Sequence, residues 1–338
     1  MIELLKLLQK KIFILIISFV TLLIAVLASI SLGSANIKLV EIFSVFSTDN
    51  DVIKKIIFEY RLPRVLNSVI VGASLSCSGF VLQTLLRNNL AEPGLLGISA
   101  GAGFGAIIVF TFVSFLPFEL LTPISFVFAL TTTYIIFLIA NSLSNKYSNF
   151  ISSNKIILAG IAINALVSSI NAFFMIKAGN NVSQIIYWLN GGFNGKGWNE
   201  FYMSAGFVLI GIVSAVLISK DLNILNLGEE ISVNLGLNIK KIQTLSIIIS
   251  SLLAASAVAV AGIISFVGLI VPNIARLIIG SDYRYSIPFS VILGSLFLVI
   301  ADLISRTIIS PSEIPVGIIT SFIGAPVFIW LILKKKNL

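Results

Sequence analysis

Residues 12–32 read IFILIISFVTLLIAVLASISL, 21 residues without a charge. The hydrocarbon core of a bilayer is about 30 Å thick, and an α-helix crosses it in about 20 residues. In lipid every backbone amide needs an internal partner, so only helices and closed barrels cross. The run shows no strict alternation of apolar and polar residues, which predicts a helix. Lys10 and Lys11 precede it, as basic residues precede secretory leaders. A leader's apolar core is only about 7–15 residues long. Gly33-Ser34-Ala35 could mimic a cleavage site, but the length of the run favours a retained first span.

Nine further apolar runs follow, at 65–86, 94–115, 121–143, 156–176, 201–219, 242–264, 266–279, 287–304 and 314–333. The run at 266–279 is short for a bilayer and needs help from its neighbours. The expected fold is an all-α membrane protein of about ten transmembrane helices, one domain over 1–338 with no second, soluble domain. Composition agrees: 57% of the 338 residues are hydrophobic and 11% charged, where soluble domains are about 25% charged. The mean hydropathy is +1.08.

An even number of spans puts both ends on one side. Lys6, Lys10, Lys11 and Lys334-Lys335-Lys336 mark that side as cytoplasmic by the positive-inside rule. The inner side then holds 14 of the 22 basic residues and the outer side 8. The net charge of +8 does not imply nucleic acid, because Lys and Arg lie in short clusters between spans. Arg61, Arg64 and Arg306 fall outside, against the rule, and need a separate reason.

Chemistry is scarce. There is no histidine and one cysteine, Cys77, which excludes histidine zinc sites, Ser-His-Asp triads and intrachain disulfides. No span carries an acidic residue or lysine at mid-depth, as an ion-coupled carrier often does. A secondary carrier and a membrane-embedded enzyme are therefore the weaker alternatives. Gly191 to Gly197 resembles a phosphate loop, but is one residue short between its glycines and has Gly197 where Ser or Thr would bind magnesium. Gly97, Gly101 and Gly105, spaced by four, read as a ridge for close helix approach.

Three features carry functional weight. The inner segment 220–241 reads KDLNILNLGEEISVNLGLNIKK. Leu227, Ile231 and Leu235 form one apolar stripe of a short helix. Glu229 and Glu230 suit its first turn, and Gly236 its end. Surface helices lying on membranes prefer Lys and Arg on the polar face, so two glutamates favour a cytoplasmic protein partner. On the outer side, Arg61-Leu62-Pro63-Arg64 and Arg306 are either docking charges or local structure, with Asp302 four residues before Arg306 as the plain partner. In the fifth span Asn164, Ser168, Ser169 and Asn171 make a polar stripe, suited to a water-filled path or to bonding between helices.

Together these pieces resemble the FecCD-type permeases of ABC importers, which carry iron–siderophores, haem or cobalamin. The similarity covers nearly the whole chain, in order: RLPR at 61–64, GASLSCSGFVLQTLLRNNLAEPGLLGISAGAG at 72–103, YWLNGGFNGKGW at 187–198, LNLGEEISVNLGLNI at 225–239, GIISFVGLIVPNIARLIIGSDYR at 262–284, ADLISR at 301–306 and EIPVGIITSFIGAPVFIWLI at 313–332.

The resemblance implies a multi-pass subunit of the bacterial plasma (inner) membrane that works beside a second permease copy or paralogue. Two cytoplasmic ATPase subunits would hold the ATP and Mg; this chain would bind no cofactor or metal and do no bond chemistry. An extracytoplasmic substrate-binding protein would deliver cargo. Arg61, Arg64 and Arg306 match docking arginines that pair with glutamates on its two lobes. The segment 225–239 matches the coupling helix, with Leu227, Gly228, Glu229, Glu230, Leu235 and Gly236 as its residues. The loop after the second span matches the inner gate, with Asn88 and Leu90 as candidates. Iron–siderophore complexes are the expected cargo, with cobalamin or haem as alternatives. Two positions depart from the family. Asn273 replaces the usual histidine and cannot titrate near neutral pH. Asn89 replaces the usual proline, which should loosen the turn into the third span.

Overall fold

The computed structural model describes residues 2–33, 51–112, 117–142 and 153–335. Ser34, Ala35, the span ends at 113–115 and 143, Lys146 and Lys336 lie outside the described residues. Eight described helices are long and apolar enough to cross a membrane: α1 (Ile2–Ser31), α3 (Leu62–Leu85, preceded by α2, Asp51–Lys55, and a π-helical turn, Ile56–Arg61), α5 (Leu121–Ser142), α6 (Ser153–Lys177), α8 (Trp198–Leu217), α11 (Ile239–Ala261), α13 (Tyr283–Thr307) and α14 (Val316–Lys335). Two shorter apolar helices, α4 (Ile98–Thr111) and α12 (Val267–Ile279), complete ten. Short helices α7 (Val182–Leu189), α9 (Ser219–Leu225) and α10 (Glu229–Asn234) lie between them.

Most expected spans coincide with helices to within a few residues. The third differs. Its inner end is a 3₁₀ turn, Pro93–Leu96, followed by left-handed Gly97, so the α-helix starts only at Ile98. The helices α2, α7 and α9 lie outside the apolar runs.

At the centre stands α3, buried at every residue from Val71 to Leu85. A helix buried all round cannot present charge, and here small residues let neighbours close in. Ser74 Oγ donates to the Leu253 carbonyl at 2.7 Å and Ser78 Oγ to that of Ser250 at 2.7 Å, both on α11. Ser295 Oγ of α13 donates to the Val69 carbonyl at 2.9 Å. Gly72 meets the backbone of Gly294, and Gly79 that of Gly268. The ridge expected on α4 also packs: Gly97 faces Ile136, Gly101 faces Phe128 and Thr132, and Gly105 faces Ser125, all on α5.

A methyl group on Gly79 would sit 1.9 Å from the Gly268 carbonyl oxygen, whereas one on Gly206, in α8, would meet nothing within 4 Å. Overpacking typically costs about 1–3 kcal/mol, occasionally more. Gly79→Ala is therefore expected to destabilise the detergent-solubilised protein by at least about that much, and Gly206→Ala to leave it unchanged or slightly more stable. Thermal unfolding of the two variants side by side checks this; equal melting temperatures would refute the close crossing.

Candidate functional site

The inner segment forms a compact hairpin of helices. α9 is anchored by the buried side chains of Leu222 and Leu225. Asn223 fixes it to the start of α13: its Nδ2 donates to Asp282 Oδ1 at 3.0 Å, and its Oδ1 accepts from the Tyr283 amide at 3.0 Å. Asp282 caps α13 by accepting from the Arg284 amide. The side-chain bonds from Arg284 hold the Asp282 carboxyl down at about 2, below its ordinary value. A carboxyl depressed in this way stabilises the fold above its ordinary range and loses that contribution as pH falls toward 2.

On this base sits α10. Glu229 and Glu230 occupy its first turn, and Ser232 ties it back by donating to the carbonyls of Ile224 at 2.9 Å and Gly228 at 2.6 Å. It ends as a Schellman turn: Gly236 is left-handed at φ 79°, its amide bonds the Val233 carbonyl, and the Leu237 amide bonds the Ser232 carbonyl. Leu227, Ile231 and Leu235 are 57%, 49% and 59% exposed. This apolar stripe beside two carboxylates is left uncovered by the described residues.

A short loop, 86–92, lies against this hairpin. Arg87, at φ 47°, reaches Glu229 at 3.5 Å and donates to the Leu225 carbonyl at 3.2 Å. Asn88 Oδ1 accepts from the Leu90 amide at 2.9 Å, and Leu90 is exposed. The loop does not depend on a proline at 89. Asn273 on α12 holds it instead, donating to the Asn89 carbonyl at 2.9 Å. The sequence reading missed Arg87, Gln83 and Arg276 as parts of this region. Their signal was weak, since a polar residue at a span end also reads as an interfacial anchor.

The polar stripe of α6 divides. Asn164 and Asn171 donate to the carbonyls of Gly94 and Ala100, each at 3.1 Å, and so stitch α6 to the chain around α4. Ser169 bonds its own helix at Ala165, and Ser168 is exposed. Leu158, Ile161, Leu166, Phe173 and Ile176 on the same helix are also exposed. One long face of α6 is therefore left uncovered by the described residues.

The outer arginines are held by acceptors within the protein. Arg61 and Arg306 are 7% and 6% exposed. Arg61 Nη1 donates to the carbonyls of Ile30 at 2.7 Å and Ser31 at 2.8 Å, and Arg306 donates to Ser29. Arg64 binds Asp302 at 2.8 Å and Glu313 at 2.9 Å. The plain Asp302–Arg306 pair exists at 3.6 Å, but Arg64, 238 residues away in sequence, takes the closer contacts with Asp302. The physical reason is the low dielectric. A buried guanidinium must find acceptors, and the end of α1 and Asp302 supply them.

The family model for the FecCD transport family matches residues 21–334. The uncharacterized ABC transporter permease protein YvrB of Bacillus subtilis (strain 168) is 36% identical, over 95% of this chain and 94% of that protein. The hemin transport system permease protein HmuU of Yersinia pestis is 35% identical over 96% of each. The Fe(3+)-citrate import system permease protein YfmD of Bacillus subtilis (strain 168) is 36% identical over 92% of this chain and 91% of that protein. A solved inward-facing structure of a metal-chelate type ABC transporter aligns with TM-score 0.84 and 28% identity, over 95% of this chain and 99% of that one. The chain belongs to the FecCD transport family. It is the multi-pass, non-catalytic membrane permease subunit of a bacterial-type ABC importer, a class that works with ATPase and binding-protein partners.

Asp302 is fully buried between Arg64 and Arg306. Removing one partner from a buried ion pair typically costs about 3–5 kcal/mol. Asp302→Ala should destabilise the protein by about that amount, read by chemical unfolding in mild detergent. Wild-type stability in that variant would show the cluster to be solvated instead.

Proposed function

We propose, from the chain's place in the FecCD transport family, that it forms the path for ferric iron–siderophore complexes, paired with a second permease copy or paralogue. Two cytoplasmic ATPases would grip it, each on its own permease, with ATP and Mg held on the ATPases. Both termini would face the cytoplasm. The observation that carries the coupling reading is the exposed stripe Leu227, Ile231 and Leu235 beside Glu229 and Glu230. Gly228 and Gly236 bound the short helix on either side. Nucleotide that binds the two arrangements of the ATPases unequally supplies the free energy for alternation.

Asn88 and Leu90 serve as the inner gate in this reading. The free face of α6, with Ser168 and Ser169, lines the path between copies, while Asn164 and Asn171 fix that helix against α4. A neutral face of apolar side chains with the two serine hydroxyls suits a bulky metal chelate. Relatives named for hemin and for Fe(3+)-citrate support a metal-chelate cargo. Haem and cobalamin remain the alternative cargoes. Docking of the binding protein onto Arg61, Arg64 and Arg306 requires an exchange of partners: an incoming carboxylate takes the place of Glu313 on Arg64.

Two measurements test this. Replacing Glu229 and Glu230 together by Lys should lower ATPase stimulation by the binding protein at least about tenfold, since two charges at a contact are reversed; an unaltered rate would remove the coupling assignment. Glu313→Gln should tighten binding-protein affinity about fivefold at low salt and steepen its salt dependence, because Arg64 loses a competing carboxylate. Affinity and salt dependence equal to wild type would remove the docking assignment.

A further inference from the structure

Three polar side chains converge behind the 86–92 loop. Gln83, at the inner end of α3, is 1% exposed. Its Nε2 donates toward the carbonyls of Ala91 at 3.2 Å, Gly268 at 3.2 Å and Leu269 at 3.0 Å. Asn273 on α12 donates to the Asn89 carbonyl at 2.9 Å and the Leu269 carbonyl at 2.7 Å. The oxygens of both amides meet one guanidinium: Arg276 donates to Gln83 Oε1 and, at 3.1 Å, to Asn273 Oδ1. The guanidinium also lies over the Phe80 ring, 4.9 Å from its centroid.

The loop is thus held from two directions. From behind, two amides grip its backbone at Asn89 and Ala91, and Arg276 orients both amides. From the side, Arg87 ties it to Glu229 and the Leu225 carbonyl. An amide side chain without a fixed orientation presents its oxygen or its nitrogen equally well. The guanidinium, a donor only, compels both amides to turn their nitrogens toward the loop.

We propose that Gln83, Asn273 and Arg276 form a polar clamp that sets the rest position of the inner loop, against which Arg87 transmits displacement of α10. This rests on the reading of α10 as the coupling helix and of Asn88 and Leu90 as the gate. The three are positioning residues. The clamp contains no group that titrates near neutral pH, so its grip does not change with cytoplasmic acidity.

Asn273→His makes that last property measurable. A neutral imidazole donates from one nitrogen and accepts at the other, as the amide does. Protonation removes the acceptor and sets a second cation beside Arg276. The ionisable groups on the surrounding elements are Arg276 on α12, Asp282, Tyr283, Arg284 and Tyr285 at the start of α13, Cys77 on α3, and Arg87 and Glu92 in the loop. The nearest cation is Arg276, and an imidazole ordinarily takes up its proton near pH ~6.5. The clamp should therefore hold above that range and release as pH falls through it.

The test uses the whole transporter, with its ATPase and binding protein, in liposomes. The readout is the ratio of binding-protein-stimulated to basal ATPase rate at pH 5.5 to 8. The wild-type ratio should vary little. The Asn273→His ratio should match it at pH 8 and fall about fivefold by pH 5.5, the worth of roughly one hydrogen bond. Asn273→Asp keeps the acceptor for Arg276 but loses the donor to Asn89, and should be low at every pH. A stimulated wild type with a flat Asn273→His profile would overturn the clamp alone, as would an unchanged Asn273→Asp ratio should the histidine variant fail to assemble. A wild-type complex that the binding protein does not stimulate would overturn the coupling reading of α10, and the clamp with it.

Discussion

Everything in this molecule answers to the absence of water around its backbone. A hydroxyl or amide that meets lipid has no partner, so it must be satisfied inside the protein. The effect is plainest on α3. Its serines donate to carbonyls of α11, and α13 returns a serine to α3. These bonds need close approach, and the glycines at 72 and 79 permit it. Small residues and hydroxyls thus form one device: the first bring main chains together, and the second exploit the carbonyls that come within reach.

The same constraint explains the charged groups. Nine-tenths of the arginine surface at 61 and 306 is hidden, yet each guanidinium faces oxygen. Carbonyls at the end of α1 serve this purpose, since the last carbonyls of a helix have no amide of their own to accept from. Arg276 finds two amide oxygens and an aromatic face. The arginines at 61, 276 and 306 are held by acceptors, whereas on the inner hairpin Glu229 and Glu230 stand beside exposed leucines. That contrast sets apart the part that holds itself together from the part offered to something else.

Much of the fold was legible because hydrophobic length is a local property. Each long run of apolar residues became a helix, and the glycine ridge at 97, 101 and 105 packs as its spacing demands. The end of α10 at Gly236 was readable too, for a left-handed terminus leaves a glycine in the sequence. Arg64 was not readable, because its partner Asp302 lies 238 residues away and a nearer partner, Arg306, competes for it. The α6 stripe was half readable: the period marked a polar face, but only the fold shows that two asparagines bond the neighbouring segment while the serines do not. Nor could Pro93–Leu96 be foreseen as a 3₁₀ turn, since its composition is as apolar as the helix it interrupts.

Where Gly79 meets Gly268, two main chains touch with no side chains meshed between them. Ordinary helix pairs resist rotation because knobs must climb out of their holes. At this one point the teeth are missing and the rods meet as scissor blades do at a rivet, while Val71 and Leu75 share an apolar cluster with Val267 and Val271 alongside. Gln83 and Arg276 lie four and eight residues beyond that rivet on their respective blades. A small angular change at the crossing therefore becomes a larger lateral one at the handles, and the handles are where the loop is held.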